Sequence, residues 1–187
     1  MIGCRCAAGR APDRPVEVWA FDEHRLGLKP LARRVWAKAG ERPVAVSHHK
    51  YKWLYLYAFV RPATGDVEWW VANSVNVALF QAVLDAFARA AGAGKDKAVV
   101  VVLDNAGWHV GKELVIPEGL HLCFLPPYSP ELQPAERLWP LTDEALANKP
   151  IETLDDLTDI LDRRCAALSD QPNIVKANTH FHWWPHE

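Results

Sequence analysis

Apolar runs in the first two thirds of the chain predict five β-strands. Residues 52–60 are rich in aromatic and β-favouring side chains, and the turn signal Pro62-Ala63-Thr64-Gly65 joins them to a returning strand, which predicts a hairpin. Residues 97–103 form a continuous, largely β-branched run, typical of a strand buried on both faces. The predicted strands cover about residues 16–22, 52–60, 67–71, 97–103 and 120–125.

Helical spacing of apolar residues replaces the strand pattern in three places. The first begins at Val75 and ends near Gly92, a residue type that commonly terminates helices. The last begins at Thr153, a good N-cap with Asp156 three residues later. The predicted helices cover about residues 75–92, 135–147 and 153–168, and the segment after residue 170 has no clear pattern.

The order of these elements predicts the fold class and the organisation of the chain. Strand, hairpin strands, helix, strand, strand and helices are most simply accommodated by an α/β fold with a mixed sheet flanked by helices. At 187 residues, with no internal repeat or dividing linker, the chain fits one domain. We expect a disordered or truncated lead-in at 1–15, the domain at 16–170 and a tail at 171–187.

Three carboxylates stand where such a sheet would present a metal site. Asp22 and Asp104 each follow an apolar strand, and Glu136 opens a helix after a proline-rich loop. We expect the three to meet at one sheet edge, where a divalent cation would relieve their mutual repulsion. Oxygen ligands suit Mg²⁺ or Mn²⁺, and two such ions roughly 3.5–4 Å apart are suited to phosphodiester chemistry. The alternative is that they are ordinary strand-end or helix-start acids.

The net charge of −2 conceals a basic stretch, residues 25–52, with eight Lys or Arg and one acid, Glu41. Trp36 and Tyr51 lie between these cations and Trp53 directly follows them, a mixture of basic and aromatic residues that suits contact with a phosphate backbone. A solvated hairpin face is the alternative interpretation.

The cysteines and the apolar segments limit the protein's environment. The four cysteines lack zinc-site spacing, and Cys123 and Cys165 are expected to be buried free thiols, which favours a reducing cytoplasm. No apolar run approaches the roughly 20 residues of a spanning helix, and the first 15 residues do not resemble a signal peptide. We therefore expect no membrane association.

Four segments carry a resemblance to a known family. They are Phe-Asp-Glu-His at 21–24, Arg-Arg-Val-Trp at 33–36, Leu-Asp-Asn-Ala-Gly-Trp-His at 103–109, and Leu-Pro-Pro-Tyr-Ser-Pro-Glu-Leu-Gln-Pro-Ala-Glu-Arg-Leu-Trp at 125–139. Together they resemble the catalytic domain of DDE transposases, in the bacterial insertion-sequence branch of the mariner superfamily. The resemblance covers about residues 16–170, and the last segment is its most specific part.

The resemblance implies an RNase H-like fold and a metal-dependent DNA endonuclease and strand-transferase. Asp22, Asp104 and Glu136 become the implied catalytic and metal-binding triad, with two Mg²⁺ or Mn²⁺ ions. The implied partners are DNA, as element ends and target, and a second copy of the chain. The bacterial cytoplasm is the implied location, with nucleoid association on DNA. The expected DNA-contacting residues are Arg25, Arg33, Arg34, Lys50, Lys52, His109 and Arg137; a structural role is the alternative for His109, and an ion pair with an acid for Arg137.

The chain departs from the family pattern in three ways. Gln133 replaces the usual Asn, and residues 140–143 replace a more basic helix continuation. Helix-turn-helix modules usually precede the catalytic domain in this family, whereas only about 15 residues precede it here. We therefore expect either a separately encoded helix-turn-helix subunit as a further partner or that the chain is a fragment. The alternative functions are an inactive remnant that binds DNA or protein, and a general RNase H-like nuclease.

Overall fold

The computed structural model of the chain describes residues 14–29, 31–34, 36–41, 51–127 and 129–185. Within these ranges the strands form one five-stranded sheet in the order β3-β2-β1-β4-β5. The first three strands pair antiparallel, whereas β1, β4 and β5 run parallel. The strands are β1 (Val16–Gly27), β2 (Trp53–Arg61), β3 (Asp66–Ala72), β4 (Ala98–Leu103) and β5 (Leu120–Phe124).

Helices cover both faces of this sheet. Four α-helices are described: α1 (Val77–Ala91), α2 (Trp139–Asp143), α3 (Leu154–Ser169) and α4 (Pro172–Thr179). Two 3-10 helices, Pro130–Leu132 and Pro134–Leu138, precede α2. None of the described helices is long and apolar enough to cross a membrane.

Alternation along β1 divides the core in two. Trp19 and Phe21 pack with α1 on one face, while Ala20 and Leu26 belong to the core that α3 and α4 close on the other face. Successive strand residues point to opposite faces, so Asp22 and Glu23 must also lie on different faces. This separation determines what each of the two acids can do.

The helix boundaries follow from local capping. Asn76 accepts a hydrogen bond from the Leu79 amide, and Gly92 ends α1 in the left-handed conformation at φ 69°. Thr153 and Asp156 form a reciprocal capping box at the start of α3. The predicted start of α3 is therefore confirmed, and so is the predicted end of α1.

Two predicted elements differ from the structure. The helix expected over 135–147 is a 3-10 helix followed by the short α2, because Pro140 lacks an amide donor and fits only the first turn of a new helix. The unpatterned tail contains α4. The β2–β3 turn packs against α4 so closely that a Cβ on Gly65 (φ 89°) would lie 2.0 Å from the Pro172 carbonyl oxygen.

The two cysteines expected to be free thiols behave differently. Cys165 is free and 5% exposed, as expected. Cys123 is disulfide-bonded, so the prediction was wrong for this residue. It lies half-buried on β5, an edge strand of the described sheet, where an apolar sequence does not imply an enclosed side chain. Cys123 therefore no longer supports the inference of a reducing compartment.

Candidate active site

Asp22 and Asp104 are brought level by the parallel pairing of β1 and β4. The last paired residues are Ala20 and Val102, so the same register places Asp22 beside Asp104 two residues later. Asp104 follows the end of β4, as predicted. Asp22 does not end its strand, as the sequence suggested: β1 continues to Gly27, paired only with β2. Both acids therefore lie at the point of the sheet where β4 ends and β1 continues without β4 as a partner.

Glu136 reaches the same place on the 3-10 helix Pro134–Leu138. Gln133, 3% exposed, fixes this helix to β1 with both ends of its amide. Its Nε2 donates to the Phe21 carbonyl at 2.9 Å, and its Oε1 accepts from the Ala135 amide at 3.3 Å. Gln133 therefore ties the helix that carries Glu136 to the residue before Asp22. The sequence analysis noted Gln133 only as a departure from the family pattern and did not predict this role.

Replacement of Gln133 by Leu is expected to lower the free energy of unfolding by about 1–3 kcal/mol, because the buried Phe21 carbonyl loses its donor. Urea unfolding measures the loss. Gln171→Leu is the matched control, since Gln171 donates to the Ala167 carbonyl on the exposed end of α3. Equal effects of the two substitutions would show that Gln133 does not have the structural role assigned to it.

The three acids line one cleft of about 410 Å³. The rest of its described wall is neutral: Asn105, Ala106, Leu125, Pro126, Pro127, Ser129, Pro130 and Gln133. No cation within this described wall offsets the three carboxylates, and their oxygens are donors that fit a hard divalent cation. Across the described ranges, however, no group of three or more His, Cys, Asp or Glu is close enough to hold a metal. The acids share a cleft without forming a closed ligand cage.

Burial and the charges of neighbouring acids raise the pKa values of both Asp22 and Glu136. Burial raises the pKa of Asp22 to about 7, and the neighbouring charges of Glu23 and Glu136 add to the rise. Burial also raises the pKa of Glu136; the charge of Arg137 opposes this rise, and the charges of Asp104 and Glu131 add to it. Glu136 therefore interacts by charge repulsion with both Asp22 and Asp104. A bound cation would reverse these effects by stabilising the ionised carboxylates.

Asp22→Asn is expected to stabilise the metal-free protein at pH 8 by about 1–3 kcal/mol. The carboxyl of Asp22 has a higher pKa in the folded chain than its usual 3.8. Folding stability is therefore lost as the pH rises from about 3.8 to about 7, and the Asn variant avoids this loss. Thermal unfolding in EDTA should show the gain at pH 8 and its disappearance near pH 4. A gain of the same size at both pH values would contradict the assignment.

Asp104 is held from the other face of the sheet by His109. His109 is 1% exposed, and its Nδ1 and Nε2 lie 2.8 Å from Asp104 Oδ1 and Glu23 Oε1. Although burial opposes it, hydrogen bonds and charge from Asp104 and Glu23 raise the pKa of His109 to about 9. The hydrogen bond from His109 lowers the pKa of Asp104. A protonated His109 thus keeps Asp104 ionised, and the Ala106 amide also donates to Asp104 Oδ1.

Glu23 completes this arrangement away from the cleft. Its side chain is 7% exposed and accepts from the Trp108 indole at 3.0 Å as well as contacting His109. Glu23 is therefore a buried, hydrogen-bonded acid rather than a solvated one. Its position one residue after Asp22 could have indicated this, because it shares the buried face of Trp19 and Phe21.

The expected DNA-contacting residues occupy different environments. Arg34, Lys52 and Arg137 are exposed, and Arg25 is exposed with its guanidinium 3.8 Å from the centre of the Trp53 ring. Arg33 donates to the Pro140 carbonyl at 3.2 Å, which places this part of the basic stretch beside α2. His109 is buried between two acids, so the structure gives it no surface for a phosphate. Lys50 lies outside the described residues.

The sequence pattern of the DDE superfamily endonucleases matches residues 17–158, most of the chain and all three acids. The chain belongs to this family. An uncharacterised protein of Sinorhizobium fredii strain NGR234, y4pE/y4sA, is 36% identical over 124 residues, which are 64% of this chain and 88% of that protein. The DDE endonuclease assignment thus rests on the part of the chain that forms the sheet and the cleft.

Solved structures of the Mos1 mariner transposase share the fold. Its isolated catalytic domain superposes with a TM-score of 0.53 at 15% identity, covering 90% of this chain and 84% of that one. Its paired-end complex with Mn gives a TM-score of 0.62 at 17% identity, covering 88% and 54%. The predicted RNase H-like fold is confirmed. The chain spans little more than half the length of the Mos1 chains in such complexes.

Proposed function

We propose that this DDE endonuclease domain is the catalytic part of a transposase that cuts DNA at the ends of an insertion sequence and joins the 3′-hydroxyls to target DNA. The observation that supports this most strongly is the shared cleft. The parallel register brings Asp22 level with Asp104, and Gln133 fixes the helix of Glu136 to β1. These are the three acids that the family resemblance implied.

Asp22, Asp104 and Glu136 are the proposed ligands of two Mg²⁺ or Mn²⁺ ions. Carboxylate oxygens suit such ions, the described wall of the cleft holds no cation, and solved complexes of Mos1 contain Mn or Mg. The ions would supply activation of a water or 3′-hydroxyl and stabilisation of the leaving oxygen. The chain itself positions the carboxylates: Gln133 sets the distance of Glu136 from β1, and His109 keeps Asp104 ionised.

The basic stretch is proposed to hold the DNA that flanks the cleft. Its described cations are exposed, and Arg33 brings it beside α2, whose first residue lies three positions after Glu136. Trp36 and Tyr51 are 104% and 91% exposed and could stack on bases. This contact is electrostatic in the main, so binding should weaken steeply as salt is raised.

Assembly with other chains is also part of the proposal. Mos1 forms paired-end complexes, and we propose that this domain likewise acts as a homodimer on two element ends. We further propose that recognition of the element ends involves a helix-turn-helix module, such as a separately encoded subunit. The reaction would take place in the bacterial cytoplasm, on nucleoid DNA.

Nicking of different duplexes tests the proposed substrate. The purified chain with Mn²⁺ is expected to nick duplex DNA and to leave an RNA–DNA hybrid of the same sequence largely intact. Preference for the hybrid would favour a general RNase H-like nuclease. Binding of DNA without nicking of either duplex would favour an inactive remnant.

A further inference from the structure

Asp22 receives a side-chain hydrogen bond from α2, which directly follows the 3-10 helix that carries Glu136. The indole Nε1 of Trp139 donates to Asp22 Oδ2 at 2.9 Å, and Trp139 is 9% exposed. Trp139 is the first residue of α2 and lies three positions after Glu136. Residues three apart lie on the same side of a 3-10 or α-helical turn, so this short segment presents Glu136 and the indole toward β1 together.

A second contact holds the indole in place. The ring of His24 stacks on Trp139, with centroids 4.9 Å apart and planes inclined by 13°. His24 Nε2 lies 2.9 Å from Asp143 Oδ1. The His24 and Asp143 side chains are only 23% and 20% exposed, so neither is free to leave this position easily.

The spacing of the contacting residues matches the periodicity of side chains along β1 and α2. Asp22 and His24 are two residues apart on β1 and therefore face the same way. Trp139 and Asp143 are four residues apart and lie above one another on α2. Two residues on one face of β1 thus contact two residues on one face of α2. A rotation or shift of α2 would break both contacts at once.

We infer that Trp139 is a positioning residue that fixes the Asp22 carboxylate relative to Glu136, and that His24 and Asp143 hold the indole for this task. The bond to Oδ2 restricts rotation of the carboxylate, which also accepts a hydrogen bond from the backbone amide of Glu23. This inference rests on the proposed function, because it concerns how the chain prepares Asp22 to bind a metal ion.

Mn²⁺ titration by calorimetry on the full chain tests the inference. Trp139→Phe keeps an aromatic ring against His24 but removes the indole donor. Its dissociation constant for Mn²⁺ is expected to rise about tenfold or more, the range seen when partners of metal ligands are removed. Trp69→Phe is the matched control, because it removes an indole bond to Ser169 Oγ at the exposed edge strand β3 and should leave the constant unchanged.

Nicking kinetics separate positioning from damage to the fold. Trp139→Phe should recover nicking at about tenfold higher Mn²⁺, whereas a misfolded variant would not recover. The KM for DNA should stay at the wild-type value, since the largely buried indole has no proposed DNA contact. If Trp139→Phe fails to fold, His24→Phe serves instead: it keeps a stacked ring, loses the contact with Asp143, and should weaken Mn²⁺ binding about threefold.

The outcomes distinguish this inference from the proposed function. Wild-type Mn²⁺ affinity in the folded variants, with nicking at the wild-type Mn²⁺ concentration, would overturn the positioning role and leave the proposed function standing. Failure of the wild-type chain to bind Mn²⁺ would overturn both. Equal loss of affinity in Trp139→Phe and Trp69→Phe would also reject a specific role for Trp139.

Discussion

Asp104→Asn is expected to reduce the rate of DNA nicking roughly 10⁴-fold. The three acids are proposed to act as one catalytic unit, and removal of one member of such a unit abolishes most of the activity that the whole unit provides. Asn keeps an oxygen that can accept from His109 and the Ala106 amide, so the local hydrogen bonds can persist. It lacks the negative charge that the proposed metal site needs. Nicking of duplex DNA with Mn²⁺, measured beside circular dichroism and urea unfolding, separates lost chemistry from lost folding.

Asp96→Asn is the matched control for this prediction. Asp96 is an exposed acid just before β4, whereas Asp104 follows the other end of the same strand. The control variant should nick at the wild-type rate. Nicking by a well-folded Asp104→Asn variant at a rate similar to wild type would remove Asp104 from the catalytic machinery and contradict the DDE assignment of this residue.

The largest expected effect on stability is that of His109→Ala. Removal of one partner from a buried charge pair typically costs about 3–5 kcal/mol, because the other charge remains buried without compensation. Here Glu23, with its side chain 7% exposed, would keep only the Trp108 indole as a described side-chain donor. The loss of the ring from its packing against Phe21 and Phe80 adds to the cost. Urea unfolding at pH 7 measures the total.

A second substitution tests whether charge causes this loss. Glu23→Gln in the His109→Ala background removes the uncompensated carboxylate and should recover roughly half of the lost stability. The pH dependence gives an independent check. The pKa of His109 is raised from 6.5 to about 9, so its contribution is complete below pH 6.5 and disappears as the pH rises through 9. If the His109→Ala variant has the same free energy of unfolding as the wild type at pH 7, the buried ion pair is refuted.

The sheet was predictable from the sequence because its strands carry strong local signals. The β-branched run before Asp104 and the aromatic run of β2 matched the observed strands within a residue or two. The extent of β1 was not predictable, because its second half is stabilised by pairing with a strand about 30 residues away in sequence. The helix α4 was missed since it covers eight residues and only Val175 and Thr179 are buried.

The meeting of the three acids in one cleft was predictable from the sequence, whereas the residues that contact them were less so. Asp22, Asp104 and Glu136 were chosen from strand ends, a helix start and family motifs, and the structure brings them to one cleft. Two of the supporting contacts join residues 85 and 117 positions apart in the chain: Trp108 to Glu23, and Trp139 to Asp22. A single sequence records no such pairing. His109 was misassigned to DNA for the same reason, because its burial depends on tertiary contacts.

Calorimetric titration of Mn²⁺ into the wild-type chain and into Asp22→Asn, Asp104→Asn and Glu136→Gln tests the central claim most directly. Glu131→Gln, at an exposed acid near Glu136, is the control. We expect the wild type and the control to bind Mn²⁺ alike and each triad variant to lose most of that binding. Unchanged binding in the triad variants, or no binding by the wild type, would contradict the claim that these three acids form the metal site.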